Sequence, residues 1–155
     1  MKLYNNLKTE LLKTDLKATN LEELLVELIQ YLKWHNLISN EKLIHNKLME
    51  RERLGSTSIG NHAAVPHTKL KDIKAPIILV GVSKKGILYN EKDNEVVHLI
   101  ILILSPNDSP IIHLQILAAA AALIKKSPQL IKDTLVCRSP EELLLVIKKY
   151  ETIDD

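Results

Sequence analysis

The stretch RERLGSTSIGNHAAVPHTK, residues 51–69, gathers an arginine cluster, three consecutive hydroxyls, two of the chain's four glycines and two histidines. No periodic apolar pattern runs through it, so it reads as a loop built to hold something. Taking ~100° per residue, Ile44, Leu48 and Arg51 fall within about 60° of one another on the preceding helix, and Arg53 points the other way. Arg51 is therefore expected on the inward face at the helix's last turn. An inward guanidinium needs an anion, either a structural carboxylate such as Asp72 or Asp93 or a ligand phosphate that its planar fork suits.

His67 follows Pro66, whose ring fixes its own φ and biases Val65 toward extended backbone. The imidazole is thus presented from a stiff strand end. Neutral imidazole is one of the few side chains able to act as a nucleophile near pH 7, its free pKa being ~6.5. The plainer alternative is a surface or hydrogen-bonded structural histidine. His113 falls in the first turn of a later helix, where backbone N–H groups and the dipole favour an anion. Its neighbours Ile116, Leu117 and Ala120 also fit a satisfied core residue. His98 interrupts an apolar strand and needs a hydrogen-bond partner, whereas His35 and His45 read as surface. The histidines lack a Cys pair or His-Glu-x-x-His spacing, so no metal site is expected. Neither a P-loop, a G-x-G-x-x-G nor a nucleophile elbow is present, and no nucleotide or other cofactor is expected.

The elements that must position these residues follow from apolar period and caps. Thr19-Asn20-Leu21-Glu22 offers a capping box, and Leu21, Leu24, Leu25, Leu28 and Leu32 recur at helical spacing up to Trp34, with Asn36 as a stop. A second helix runs from after Ser39-Asn40 to about Leu54, with Gly55 at its C-terminal end. Pro76–Val82 and Val96–Leu104 are Ile/Val-rich runs without polar alternation, which predicts strands buried on both faces. Ser83–Glu95, with Gly86 and Asp93-Asn94, predicts a turn and an edge strand. Ser105-Pro106 ends the second strand. Ser109-Pro110, Ser127-Pro128 and Ser139-Pro140 each predict an N-cap hydroxyl before proline at the first helical position. The segment Pro110–Lys126 is apolar nearly all round and predicts a buried helix. Ser139-Pro140-Glu141-Glu142 starts a last helix to about Tyr150. The fold class is α/β: a single domain over residues 1–155, with a mixed β-sheet and helices packed on both faces.

Bulk properties narrow the function classes. With 21 basic against 19 acidic residues and few aromatics, no nucleic-acid partner is expected. Cys137 is the only cysteine, so no intramolecular disulfide can form. The N-terminus carries charges throughout and lacks an apolar signal core. Val96–Leu104 and Leu114–Ile124 fall short of the ~18 apolar residues of a membrane span. A soluble, cytoplasmic protein that is not membrane-embedded is expected.

The two segments RERLGSTSIGNHAAVPH and DNEVVHLIILILSPNDSPIIHLQIL together resemble the type-2 IIA domains of the phosphoenolpyruvate-dependent phosphotransferase system. These are the fructose, mannitol and nitrogen-regulatory IIA proteins. Their pattern runs Arg-Glu, Ser-Thr, Gly-Asn-Gly and a phosphorylated Ile/Val-Pro-His, followed by a strand, a Pro-x-Asp turn and a helix holding His-Leu. The resemblance is close from about Leu43 to Leu123. It implies that His67 accepts a phosphoryl group from phospho-HPr or a paralogue and hands it to a IIB domain or a regulated protein. It implies that His113 hydrogen-bonds the phosphoryl oxygens and that Arg51 neutralises their charge. It makes Ser56, Thr57 and Asn61 supports of the phosphoryl pocket. Two positions depart from the pattern: His62 stands for the last glycine of Gly-Asn-Gly, and Ser58 replaces another frequent glycine. His62 would either narrow the pocket or point to water.

Within the family, GSTSIGN and SPEELLLVI are slightly more similar to the nitrogen-regulatory type. The other readings are a sugar-transport component that feeds a permease, and a binding module that keeps the fold without phosphotransfer. An apolar patch around the pocket is expected, because a relay docks transiently with two partners.

Overall fold

The computed structural model describes residues 1–92 and 94–154. The chain passes through two short 3₁₀ turns, Leu3–Asn6 and Thr9–Leu11, into β1 (Leu12–Lys13), α1 (Leu21–Trp34), α2 (Glu41–Leu54), β2 (Ala63–Ala64) and β3 (His67–Leu70). It continues through β4 (Ile77–Leu88), β5 (Val96–Pro106), α3 (Pro110–Ile124), α4 (Gln129–Leu135) and α5 (Pro140–Thr152). The sheet runs β1-β4-β5-β2, with β3 also paired to β5. Only β4 and β5 are antiparallel; β1 joins β4, and β2 and β3 join β5, in parallel. The sheet is mixed, as the sequence predicts.

Strand β5 explains its own composition. Leu99, Ile101 and Ile103 pack with α3, α4, α5 and Leu3, whereas Ile100, Leu102 and Leu104 pack with α1 and α2. Both faces of the sheet are covered, so the strand carries no polar alternation. At Gly81 a Cβ would sit 2.6 Å from Leu16 Cδ1, so a side chain here would make Leu16 shift where the N-terminal segment crosses β4. The β4–β5 register breaks between Val82 and Ile87, and β4 then continues to Leu88.

Ala63 and Ala64 pair with Leu99 and Ile100, and His67 to Leu70 pair with Ile103 to Pro106. The two short strands are therefore one edge strand in constant register, broken at Val65-Pro66. Proline has no N–H to give the ladder, but its carbonyl still accepts from Ile103 N at 3.0 Å. The break aims His67.

Several local expectations are corrected. Asn20, not Thr19, caps α1 by accepting from Glu23 N, and Glu23 rather than Glu22 reaches back to Thr19 N and Oγ1, each at 2.9 Å. Ser127-Pro128 is a cis bond with Pro128 preceding α4, so Ser127 is not its N-cap. His35 and His45 are half-buried rather than surface: His35 packs against Tyr31 and Trp34, and His45 Nε2 lies 3.1 Å from Glu22. The largest correction concerns α3. Its inner face, His113, Ile116, Ala119, Ala120, Leu123 and Ile124, is buried, but Ile111, Ile112 and Leu114 are 71, 41 and 65 % exposed. Residue type alone does not separate an apolar face turned to the core from one turned to solvent. Serine caps α5 as expected, accepting from Glu142 N at 3.1 Å.

Candidate active site

Three elements converge at the end of β5. Helix α2 ends at Gly55, which takes φ 153°, a value that favours glycine. Arg51 stays half-buried in the last turn: its Nη1 donates to Gly55 O at 2.8 Å, and its Nε donates to His67 Nε2 at 3.3 Å. Among the described residues no carboxylate pairs with Arg51; Asp72 is exposed, and Asp93 lies outside the described residues. The arginine is thus an inward cation whose side-chain hydrogen-bond partner is the histidine itself.

His67 folds its ring back across Pro66. Its Nδ1 donates to Val65 O at 2.7 Å, which leaves the Nε2 lone pair open toward Arg51. His113 comes down from the first turn of α3, its ring centre 5.5 Å from that of His67 and tilted by 52°. Its Nδ1 lies 2.6 Å from the hydroxyl of Ser105, a fully buried residue near the end of β5.

Both rings are held neutral at pH 7. Burial lowers the pKa of His67 below its ordinary value, and the Arg51 charge adds to this against the pull of the Val65 carbonyl and Glu52. Burial likewise lowers His113, helped by His67 and Lys69. A neutral imidazole with one nitrogen bare, beside a guanidinium and a second imidazole, can attack phosphorus and have the resulting charge met by donors already in place.

The loop between α2 and β2 is braced from below. Glu52 accepts from Thr57 N at 3.0 Å and from the Thr57 hydroxyl, and Tyr89 OH donates to Glu52 at 2.7 Å while lying 2.6 Å from Thr57 Oγ1. Tyr89 is buried, and burial together with Glu52 pushes its pKa well above the usual phenol value, so it stays a donor. Thr57 O then accepts from Val65 N at 3.0 Å, and Val65 O holds His67. Thr57 therefore reaches the histidine through backbone. Ser56 is exposed and its hydroxyl accepts from Ser58 N at 3.1 Å.

Asn61 and His62 form the tip of the loop, with φ 56° and 59°. His62 turns away from the site: its Nδ1 donates to Val96 O at 2.8 Å and its backbone N donates to Glu95 at 2.6 Å. It does not narrow the pocket. Exposed Asn61 shares this tip, at the opposite end of the β5 pairing from His67. The structure thus brings Arg51, His67 and His113 together, places Thr57 one hydrogen-bond step back, and leaves Asn61 apart. Reading the sequence alone missed Glu52, Tyr89 and Ser105; a Ser-Pro pair and a tyrosine 37 positions beyond a glutamate carry no local signal. A cleft of about 390 Å³ opens at the α1–α2 turn against Leu70 and Ile73, and holds none of the three converging residues. Among the described residues no cluster of three or more metal-ligating side chains occurs, and no helix is long and apolar enough to cross a membrane.

Residues 5–150 match the family described as phosphoenolpyruvate-dependent sugar phosphotransferase system, EIIA 2. The chain belongs to this family. It is 30% identical over 137 residues to the nitrogen regulatory protein of Escherichia coli K12, covering 84% of this chain and 80% of that one. It is 24% identical over 151 residues to the fructose-specific EIIABC component of Bacillus subtilis, covering 97% of this chain but 24% of that protein's length. Its fold is similar to nitrogen regulatory protein IIA-Ntr from Neisseria meningitidis, with TM-score 0.82 and 21% identity over 94% of this chain and 98% of that one. It is also similar to the E. coli IIAMTL chain solved in complex with phosphorylated IIBMTL, with TM-score 0.76 and 21% identity over 92% and 96%.

Proposed function

We propose that this IIA-family chain is a phosphocarrier that accepts a phosphoryl group on His67 Nε2 from phospho-HPr or an HPr-like protein. The observation that carries the reading is the pairing of an unprotonated, inward-facing Nε2 with Arg51, on a ring whose centre lies 5.5 Å from that of a second imidazole. In the transfer, the Nε2 lone pair forms the new N–P bond as the donor's N–P bond breaks, and the electron pair of that bond returns to the donor ring. Arg51 Nε, which occupies the Nε2 lone pair in the free protein, moves onto a phosphoryl oxygen. The proton stays on His67 Nδ1, donated to Val65 O, so the phosphorylated ring carries positive charge and remains a good leaving group. The group then passes to a IIB domain, as the E. coli IIAMTL complex illustrates for that protein, or acts as a signal to a regulated protein. Ile111, Ile112 and Leu114, exposed beside His113 at the start of α3, form the apolar surface on which a transient partner docks.

The nitrogen-regulatory type is favoured, because the chain spans 80% of the E. coli nitrogen regulatory protein at 30% identity. The second reading, a sugar-transport component, is supported by the match to a fructose component along 97% of this chain. Incubation with phosphoenolpyruvate, enzyme I and HPr, read by intact mass beside His67→Ala, tests the relay. An acid-labile gain of one phosphoryl group, lost in the variant, is expected. No gain with several HPr-like donors overturns the reading in favour of a binding module.

A further inference from the structure

The two site histidines are held by different kinds of partner. Val65 O can only accept, so His67 Nδ1 must carry its proton. The Ser105 hydroxyl can donate or accept, and which it does decides what His113 offers. Ser105 is fully buried, and among the described residues His113 Nδ1 is the only hydrogen-bond partner of its hydroxyl. Were His113 to donate from Nδ1, the Ser105 proton would be left buried with no acceptor, at the cost of an unmade hydrogen bond. Were Ser105 to donate, both its hydroxyl and His113 Nδ1 would be satisfied.

We infer that Ser105 is a positioning residue: its hydroxyl donates to His113 Nδ1 and so fixes the proton of the neutral ring on Nε2. His113 is then a hydrogen-bond donor without being charged. The site holds two imidazoles of opposite tautomer, one with a bare Nε2 that attacks and one with an Nε2–H that meets a phosphoryl oxygen. The topology makes this contact. Ser105 sits next to last in β5, Pro106 ends the strand, and α3 turns back so that residue 113 lies over residue 105. A site of this kind works at neutral pH, where both rings are uncharged, and its one permanent cation is Arg51. A protonated His113 would bind the product more tightly and slow its departure.

The inference rests on the phosphocarrier reading for its functional half, but its structural half can be measured without phosphotransfer. Long-range ¹H–¹⁵N correlation spectra of the unphosphorylated wild type at pH 7.5 report which nitrogen of each ring is protonated. The expected result is Nδ1–H for His67 and Nε2–H for His113; Nδ1–H on His113 overturns the inference whether or not the protein takes phosphate. In Ser105→Ala the His113 ring is expected to lose its single tautomer, and the maximal rate of transfer to fall about 10-fold with the KM for the phosphoryl donor unchanged. Ser105→Thr, which keeps the hydroxyl, is expected to restore both. Unchanged tautomer and rate in a folded Ser105→Ala overturn the inference. A wild type that shows the expected tautomers but takes no phosphoryl group leaves the tautomer assignment standing and removes the proposed function instead.

Discussion

Two histidine pairs lie along β5, and their ring geometry is nearly the same. His62 and His98, at its start, are 5.9 Å apart and tilted by 52°; His67 and His113, at its end, are 5.5 Å apart with the same tilt. In the first pair both Nδ1 atoms face carbonyl oxygens, Val96 O at 2.8 Å and Ser83 O at 2.7 Å. Carbonyls only accept, so each ring donates from Nδ1, and in the neutral form of either ring Nε2 is bare. Among the described residues no arginine hydrogen-bonds either ring, and the Glu95 carboxylate stands 3.8 Å from His62 Nδ1. An oxyanion would meet two lone pairs and a negative charge there. The second pair has a guanidinium, burial and a serine in place of one carbonyl. What two neighbouring imidazoles can do is set by what surrounds them rather than by their proximity.

The comparison can be broken most sharply by deletion. His67→Ala is expected to abolish phosphoryl uptake, whereas His98→Ala leaves it intact; intact mass after incubation with the phosphorylated donor reads both. Uptake lost equally in the two would show that the pairs are not distinct. Arg51→Lys keeps the charge but loses the fork, and a fall in single-turnover transfer on the order of 10²-fold is expected. A change smaller than 3-fold would remove Arg51 from the chemistry.

Two further tests concern stability. Tyr89→Phe removes one arm of the brace under the loop and is expected to cost about 1 kcal/mol in urea denaturation. The pH dependence follows from the lowered pKa values of His67 and His113. Each binds its proton less readily when folded, so the unfolded chain takes up more protons below pH ~6.5. The stability contribution of the two neutral rings is therefore present above pH ~6.5 and is lost as pH falls through their lowered folded pKa values. A double His67→Gln, His113→Gln variant is expected to flatten that acid slope, as measured by denaturation midpoints. Phosphoryl acceptance is expected to fall over the same acid range as Nε2 becomes protonated. The smallest effect is expected at His62→Gly. Relief of the positive φ gains about 1 kcal/mol, the lost Val96 contact offsets much of it, and uptake is unchanged; a large loss of uptake would tie the loop tip to the site after all.

Much of this arrangement was readable from residue order. The limits of α1, α2 and α5, and the double-faced burial of β4 and β5, follow from caps and apolar runs. The strands β1, β2 and β3 were not readable, because two to four residues carry no period and become strands only by pairing with β4 or β5. The outer face of α3 misled for a different reason: Ile111 and Leu114 look like core because an exposed apolar face and a core use the same side chains. Arg51 was legible as inward-facing, but its partner was not, since helix phase says nothing of what arrives from β3. Proximity of His67 to His113 came only through family resemblance. Ser105 was hidden inside a Ser-Pro pair that signals a strand end, and its second role depends on which helix returns over it.

The break at Pro66 bears on more than the aim of His67. An edge strand with a free row of N–H and C=O groups invites another chain to add to the sheet. Here the outer side of β2 is already met by residues 57–59, proline interrupts the ladder, and β3 resumes for four with Lys69 among them, while the opposite edge, β1, is two residues long. Neither border gives a foreign strand a continuous template. The proline that stiffens the mount of His67 also interrupts the template for edge-to-edge pairing, so replacing Pro66 is expected to lower solubility at high concentration as well as the proposed transfer.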